Sequence, residues 1–108
     1  VPAVVRRMDQ AGARARIAWI GPHVCGSCYE VPEDMQRSVA AEVPEASSTT
    51  SWGTPALDLG AAVRVQLAEA GIDDVRTVGT CTMEDSSWPS HRRDADGVRF
   101  AGLIWSHA

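Results

Sequence analysis

Apolar positions along the chain recur with two alternating periods. In residues 1–11, Val4, Val5, Met8 and Ala11 repeat at helical spacing. Pro2 sits in a first turn, which does not need its missing N–H, and Gly12 follows as a C-terminal cap. Residues 15–20 switch to an extended run, with Ile17 and Trp19 on one face and Ala18 and Ile20 on the other, so a strand covered on both sides is predicted. A second helix is predicted to open at Pro32, with Glu33 and Asp34 at the positive end of its dipole. Met35, Val39 and Val43 form its inward stripe and Pro44 its stop. Residues 45–53 are rich in Ser and Thr and predict a mobile surface loop, with Trp52 packing back onto the domain.

Thr54, as a cap ahead of Pro55 in a first turn, predicts a long helix over 55–70. Its inward face is Leu59, Ala62, Val63, Leu67 and Ala70, and Gly71 ends it. A short strand over 75–79 comes next, then a strand end turning into a polar loop over 80–85, a turn over 94–97 and a final apolar strand over 98–105. Helices alternating with apolar strands predict the α/β class, a mixed sheet of buried strands with about three helices. No repeat or linker divides the chain, so residues 1–108 are expected to form one domain.

Composition narrows the partners. At 108 residues and 44% hydrophobic content the chain supports one core. A net charge of −4 argues against nucleic acid or an anionic membrane as the main partner. No apolar run approaches the roughly 18–20 residues that span a bilayer, and no signal-peptide pattern is present. Three cysteines, an odd number, argue for a reducing cytoplasmic location over a disulfide framework. The start at Val1-Pro2, without Met, suggests a processed product, an expressed segment or part of something longer.

Two stretches carry candidate chemistry. Between Ile20 and Pro32 lies Cys25-Gly26-Ser27-Cys28, the spacing of a zinc knuckle or a dithiol pair. A structural zinc needs four ligands, so Cys81 and His23 or His91 would have to complete the set. A redox pair should open a helix, but Tyr29, Glu30 and Val31 intervene. A cysteine nucleophile with His91 or His23 as base lacks any spacing that joins them. The favoured reading is that small, part-buried cysteines shape a tight loop. In His91-Arg92-Arg93-Asp94, two guanidiniums could grip a phosphate or carboxylate. Equally, one arginine could pair with Asp94 or Glu84 while the other stays solvated. There is no glycine-rich phosphate loop, dinucleotide fingerprint or Ser-His-Asp spacing.

Six segments in order then resemble one family. They are Ile20-Gly21-Pro22, Cys28-Tyr29-Glu30-Val31, Ala56-Leu57-Asp58-Leu59, Cys81-Thr82, Ser90-His91-Arg92-Arg93-Asp94, and Arg99-Phe100-Ala101-Gly102-Leu103-Ile104-Trp105. The chain is similar to the YfiH/YlmD-type proteins, long labelled polyphenol oxidoreductases or laccase-domain proteins and understood as purine nucleoside phosphorylases with associated adenosine deaminase activity. The resemblance implies a C-terminal portion of a larger single-domain enzyme. It implies a catalytic zinc held by two histidines and a cysteine in upstream segments that do not occur among these 108 residues. By that resemblance the segment alone is inactive, holds no catalytic residue, and takes purine nucleosides and phosphate as partners. Arg92 and Arg93 are the candidate phosphate contacts, with Arg93 slightly ahead, and residues 21–29 form a wall near the site. Cys25, Cys28 and Cys81 are not promoted to catalytic ligands; the alternative is a small structural zinc module using them with a histidine. Copper is less expected, because the chain lacks histidine-rich ligand sets.

Overall fold

The computed structural model describes residues 1–14, 17–95 and 97–105. In chain order the elements are α1 (Pro2–Gln10), β1 (Ile17–Ile20), α2 (Glu33–Glu42), a 3₁₀ turn (Pro44–Ala46), β2 (Ser47–Thr49), β3 (Pro55–Leu57), α3 (Leu59–Glu69) and β4 (Asp74–Thr77). β1 and β4 pair in parallel from Ile17↔Asp74 to Ile20↔Thr77, with α3 in the crossover between them. β2 and β3 pair antiparallel as a hairpin. The α/β class with mixed strand pairing and three helices is therefore observed.

The strands are not buried on both faces. Ala18 and Val75 pack beside the buried Ile20, but Ile17 and Trp19 on the opposite face are 50% and 64% exposed. Each of the paired strands has one neighbour among the described residues, and no second layer covers the outer face. Instead of one core there are two. Val5, Ile20, Leu67 and Ile72 form the first, under α1, α3 and the parallel pair. Val31, Ala46 and Leu57 form the second, under α2 and the hairpin, with Tyr29, Val39, Val43 and Ala62 against it. α3 joins the two, giving Val63 and Leu67, with its C-cap Ala70, to the first core and Ala62 to the second.

The third helix starts four residues later than its sequence predicts. Pro55 opens a strand, where its missing N–H is tolerated, and Ala56 and Leu57 are buried as strand residues. Asp58 is the N-cap: its Oδ1 accepts from the Ala61 N–H at 2.9 Å. Thr54 is drawn into the hairpin turn instead, its N–H donating to Thr50 Oγ1 at 2.9 Å and its carbonyl accepting from the Thr50 N–H at 2.9 Å. Gly53, at φ +88°, completes that turn. Leu59, expected inward, is exposed, and Gly60 is buried in its place.

Residues 45–53 are not a mobile loop. Ala46 has no exposed surface, and residues 47–49 are a hairpin arm. α2 fastens the hairpin through Gln36, whose Nε2 donates to the carbonyls of Ser48 (2.6 Å) and Ala56 (3.0 Å). Gln36 thus replaces Met35, which is exposed, in the inward stripe. Pro32 is the N-cap of α2 rather than its first turn. Trp52 does not pack into the domain: it stays exposed, and its Nε1–H donates to Glu30 Oε2 at 2.9 Å.

The apolar run 98–105 forms no strand, and Leu103, Ile104 and Trp105 are all strongly exposed. An extended run becomes a strand only where a ladder edge accepts it, and no such pairing occurs among the described residues. Phe100 leans on Trp88, ring centroids 5.1 Å apart. The 94–97 turn places Gly97 at φ +83°, and its residue 96, like residues 15 and 16 of the first predicted strand, lies outside the described residues.

Replacing Asp58 by Ala leaves the Ala61 N–H without its cap and is expected to cost about 1 kcal/mol, while Asp58→Asn keeps most of that stability. Urea unfolding of the three proteins, compared by midpoint at constant slope, checks the assignment of the helix start.

Candidate functional site

Parallel pairing brings the C-terminal ends of β1 and β4 side by side, and both chains leave in the same direction. This is the end of an α/β sheet where ligands generally bind. The pairing outlasts the strands: the Val78 N–H donates to the Ile20 carbonyl (2.9 Å), His23 and Cys81 form a parallel bridge, and the Thr82 N–H donates to the His23 carbonyl (3.0 Å). Each exit loop then closes a tight turn. The N–H groups of Cys28 and Tyr29 both donate to the Cys25 carbonyl at 3.1 Å. Those of Glu84 and Asp85 donate to the Cys81 carbonyl at 3.2 and 2.9 Å. Two three-residue spacings, Cys25 to Cys28 and Cys81 to Glu84, are thereby folded against each other.

The result is a four-donor cluster. One ligand atom from each of Cys25, Cys28, Cys81 and Glu84 lies within 4.8 Å of all the others. All three cysteines are free thiols and half-buried. The Cys25 N–H donates to Cys81 Sγ at 3.3 Å, and the Cys28 thiol donates to Glu84 Oε1 at 3.4 Å. Burial pushes the Cys28 thiol well above its ordinary range, reinforced by its hydrogen bonds to Cys25 and Glu84. Burial also pushes Cys81 up, but backbone N–H groups of Cys25, Glu84 and Met83 outweigh it and hold that thiol below its ordinary value. Cys81 is thus readier than Cys28 to be a thiolate, and the cluster has the donor chemistry of a thiophilic cation site.

Neither of the two described histidines belongs to it. His23 Nδ1 lies 2.8 Å from the Gly21 carbonyl oxygen, and the ring lies over Gly60, where an added Cβ would meet Nε2 at 2.8 Å. His91 is exposed and faces Arg99 at 3.5 Å. The fourth donor is Glu84 rather than a histidine, and no histidine–cysteine hydrogen bond exists among the described residues to activate a nucleophile. Glu84 was visible in the sequence only as a salt-bridge partner; that its spacing from Cys81 repeats the Cys25–Cys28 spacing was the signal. An open groove of about 430 Å³ runs past the cluster, lined by His23, Cys25, Asp58, Arg64, Cys81 and Glu84 among others.

The adjacent arginines diverge. Arg93 is consumed by the loop that follows Cys81: Nε pairs with Asp94 Oδ2 (2.6 Å), Nη1 donates to the Thr82 carbonyl (2.6 Å) and Nη2 to the Trp88 carbonyl (2.7 Å). Arg92 is exposed, donates from Nη1 to the Glu30 carbonyl (2.7 Å), and lays its guanidinium 5.2 Å from the Tyr29 ring centroid. The two do not form one bidentate clamp. One pairs with Asp94 and the other faces solvent, the second of the two arrangements the sequence left open. Beside Arg92, hydrogen bonds from Thr54 and Trp52 hold the Glu30 carboxyl below its usual range, helped by the Arg92 charge.

Residues 1–107 match the family described as multi-copper polyphenol oxidoreductase laccase. The chain belongs to that family. Among its relatives are proteins named purine nucleoside phosphorylase from Streptomyces coelicolor, 50% identical over 97% of this chain, and Streptomyces griseus, 48% identical over 97%. A third, from Corynebacterium glutamicum, is 36% identical over 97%. This chain spans 44% of the length of each. Among the described residues no set of several imidazoles comes together: the two described histidines make no shared site with each other or with the cysteines.

Arg93 ties residues 82, 88 and 94 together, so Arg93→Lys, which cannot reproduce the fork, is expected to destabilise by about 1–3 kcal/mol. Arg92→Lys should stay within about 0.5 kcal/mol of the parent. Thermal unfolding reads the difference as roughly 4–8 °C per kcal/mol in a domain of this size.

Proposed function

We propose that this chain is a segment of a cytoplasmic purine nucleoside phosphorylase that acts on adenosine and inosine, with an associated adenosine deaminase activity. The observation that carries the reading is the family match over residues 1–107 together with relatives named purine nucleoside phosphorylase at up to 50% identity. No helix among the described residues is long and apolar enough to cross a membrane.

Phosphorolysis requires phosphate to be stripped of water and aimed at the sugar carbon that carries the base. A fixed cation supports both, and on this chain Arg92 is the better candidate. The residue is exposed, with Nη1 on the Glu30 carbonyl and the guanidinium beside the Tyr29 ring, and a guanidinium carries further N–H donors suited to phosphate. Arg93, slightly preferred from its sequence context, spends its fork on carbonyls and Asp94, so the proposal favours Arg92. The catalytic zinc implied by the family resemblance needs two histidines and a cysteine. The described residues bring no such set together, so that zinc would be held in the part of the relatives' length that this chain does not span. When bound, such a zinc would supply an activated water for deamination. The cysteines and histidines of this segment carry no step of either reaction.

A chimera tests the reading: this chain replaces the matching segment of the Streptomyces coelicolor relative, with the parent relative as control. Phosphate-dependent release of free base from inosine or adenosine is expected from the chimera and not from residues 1–108 alone. Arg92→Met in the chimera should raise KM for phosphate by about tenfold, the loss of one charge-assisted contact. A folded chimera without phosphorolysis would sink the proposal, and an unchanged KM would remove Arg92 from it.

A further inference from the structure

We infer that Cys25, Cys28, Cys81 and Glu84 form a structural zinc site, separate from any catalytic metal and built wholly within this chain. The geometry supplies the first argument. A tetrahedral zinc with bonds of about 2.3 Å to sulfur separates neighbouring ligand atoms by about 3.8 Å. The four donor atoms already lie within 4.8 Å of one another, so small side-chain rotations bring them onto one ion. The backbone brings the two pairs of donors to one place. Two tight turns hold the Cys25–Cys28 and Cys81–Glu84 pairs, and the His23–Cys81 bridge sets them face to face. The Cys25 N–H donating to Cys81 Sγ is the kind of outer contact that orients a thiolate ligand.

The donor set also fixes the class of site. Four anionic donors around a dication quench its Lewis acidity and leave no open position, which is the mark of a structural zinc and not of a catalytic one. Soft thiolates select zinc over magnesium or calcium. The service the metal would perform is visible in what the two loops hold. Residues 25–28 are fixed to the hairpin turn by Ser48 Oγ donating to the Gly26 carbonyl (2.8 Å) and the Ser51 N–H to the Ser27 carbonyl (3.1 Å). Residues 81–85 lead into the loop that Arg93 braces. A metal between them joins the hairpin half of the molecule to the segment after β4, across 56 positions of sequence. Binding releases the thiol protons to solvent, so zinc loading lowers the pH of an unbuffered sample.

Residues 1–108 purified without chelator are expected to carry one equivalent of zinc per chain. Substituted with cobalt(II), they should show the near-ultraviolet charge-transfer band of thiolate-bound cobalt, falling by roughly a third for each Cys→Ser change among the three. Glu84→Ala should keep that band and weaken zinc by about tenfold or more, as read by competition with a chromophoric chelator. If a cysteine variant does not fold, the parent chain alone decides through its urea midpoint, which should rise on adding zinc to the metal-free protein. A parent chain with no bound zinc, no charge-transfer band and no shift of midpoint overturns the inference, as does a band of undiminished intensity when Cys25 and Cys28 are both serine. None of these measurements depends on phosphorolysis, so the two proposals stand or fall apart.

Discussion

The parallel pairing of β1 with β4, and its extension past the strand ends, is the interaction the rest of the molecule depends on. Two segments more than fifty residues apart leave the sheet side by side because Ile20 and Thr77 are in register. The Val78–Ile20 and Thr82–His23 hydrogen bonds keep them there after the strands have ended. A slip of one residue would exchange the faces of β1, turning Ile20 out of the core and Trp19 into it. It would also move Cys81 off His23 and away from Cys25. The hydrophobic requirement that seats Ile20 over Leu67 and Ile72 therefore also positions three thiols.

How much of this was legible in the sequence differs by type of signal. Local periodicity found α1 and α2 and located β4 to within about two residues, because amphipathic spacing and Gly or Pro punctuation are local facts. It failed at 54–58, where Thr54-Pro55 and Asp58 offered competing caps. The outcome turned on a non-local matter, the pairing of residues 55–57 with residues 47–49, which commits Pro55 to a strand. It failed again at 98–105, where strand-like composition has no ladder to join among the described residues. Gln36 was invisible for the same reason: a glutamine on a helix face reads as solvated until two orphan carbonyls of a hairpin are set before it.

The site divides in the same way. The Cys25–Cys28 spacing and the adjacent arginines were plain in the sequence, but their partners were not. That Arg93 braces a loop while Arg92 lies against Tyr29 depends on backbone carbonyls and a ring eleven and more than sixty residues distant. In sequence a single Cys-x-x-Cys pair lacks a second pair; the fold sets Cys81 and the Glu84 carboxylate beside it. Glutamate is common enough on surfaces that spacing alone gives it little weight, and only the parallel bridge at His23 raises it above the background.

The thinness of the core says why such a cluster matters. Among the described residues eight hydrophobic side chains are buried, seven of them divided between two clusters that α3 contacts on both sides. The Cα radius of gyration is 15.4 Å, against about 13 Å for a compact chain of this length. A chain this drawn-out buries less apolar surface per residue than one built on a single core, and hydrophobic stabilisation scales with that area. Backbone ordering costs about 1–2 kcal/mol per residue whether or not the core is divided. Small or divided cores commonly make up such a deficit with cross-links, whether disulfides or metals. Here the cysteines are free and approach one another at a place where the loops after β1 and β4 meet. A cross-link at that point restricts the unfolded chain across a loop of more than fifty residues, where closure entropy is large. The cluster therefore sits where a staple would contribute most to this fold, and its donors are of the kind a zinc ion requires.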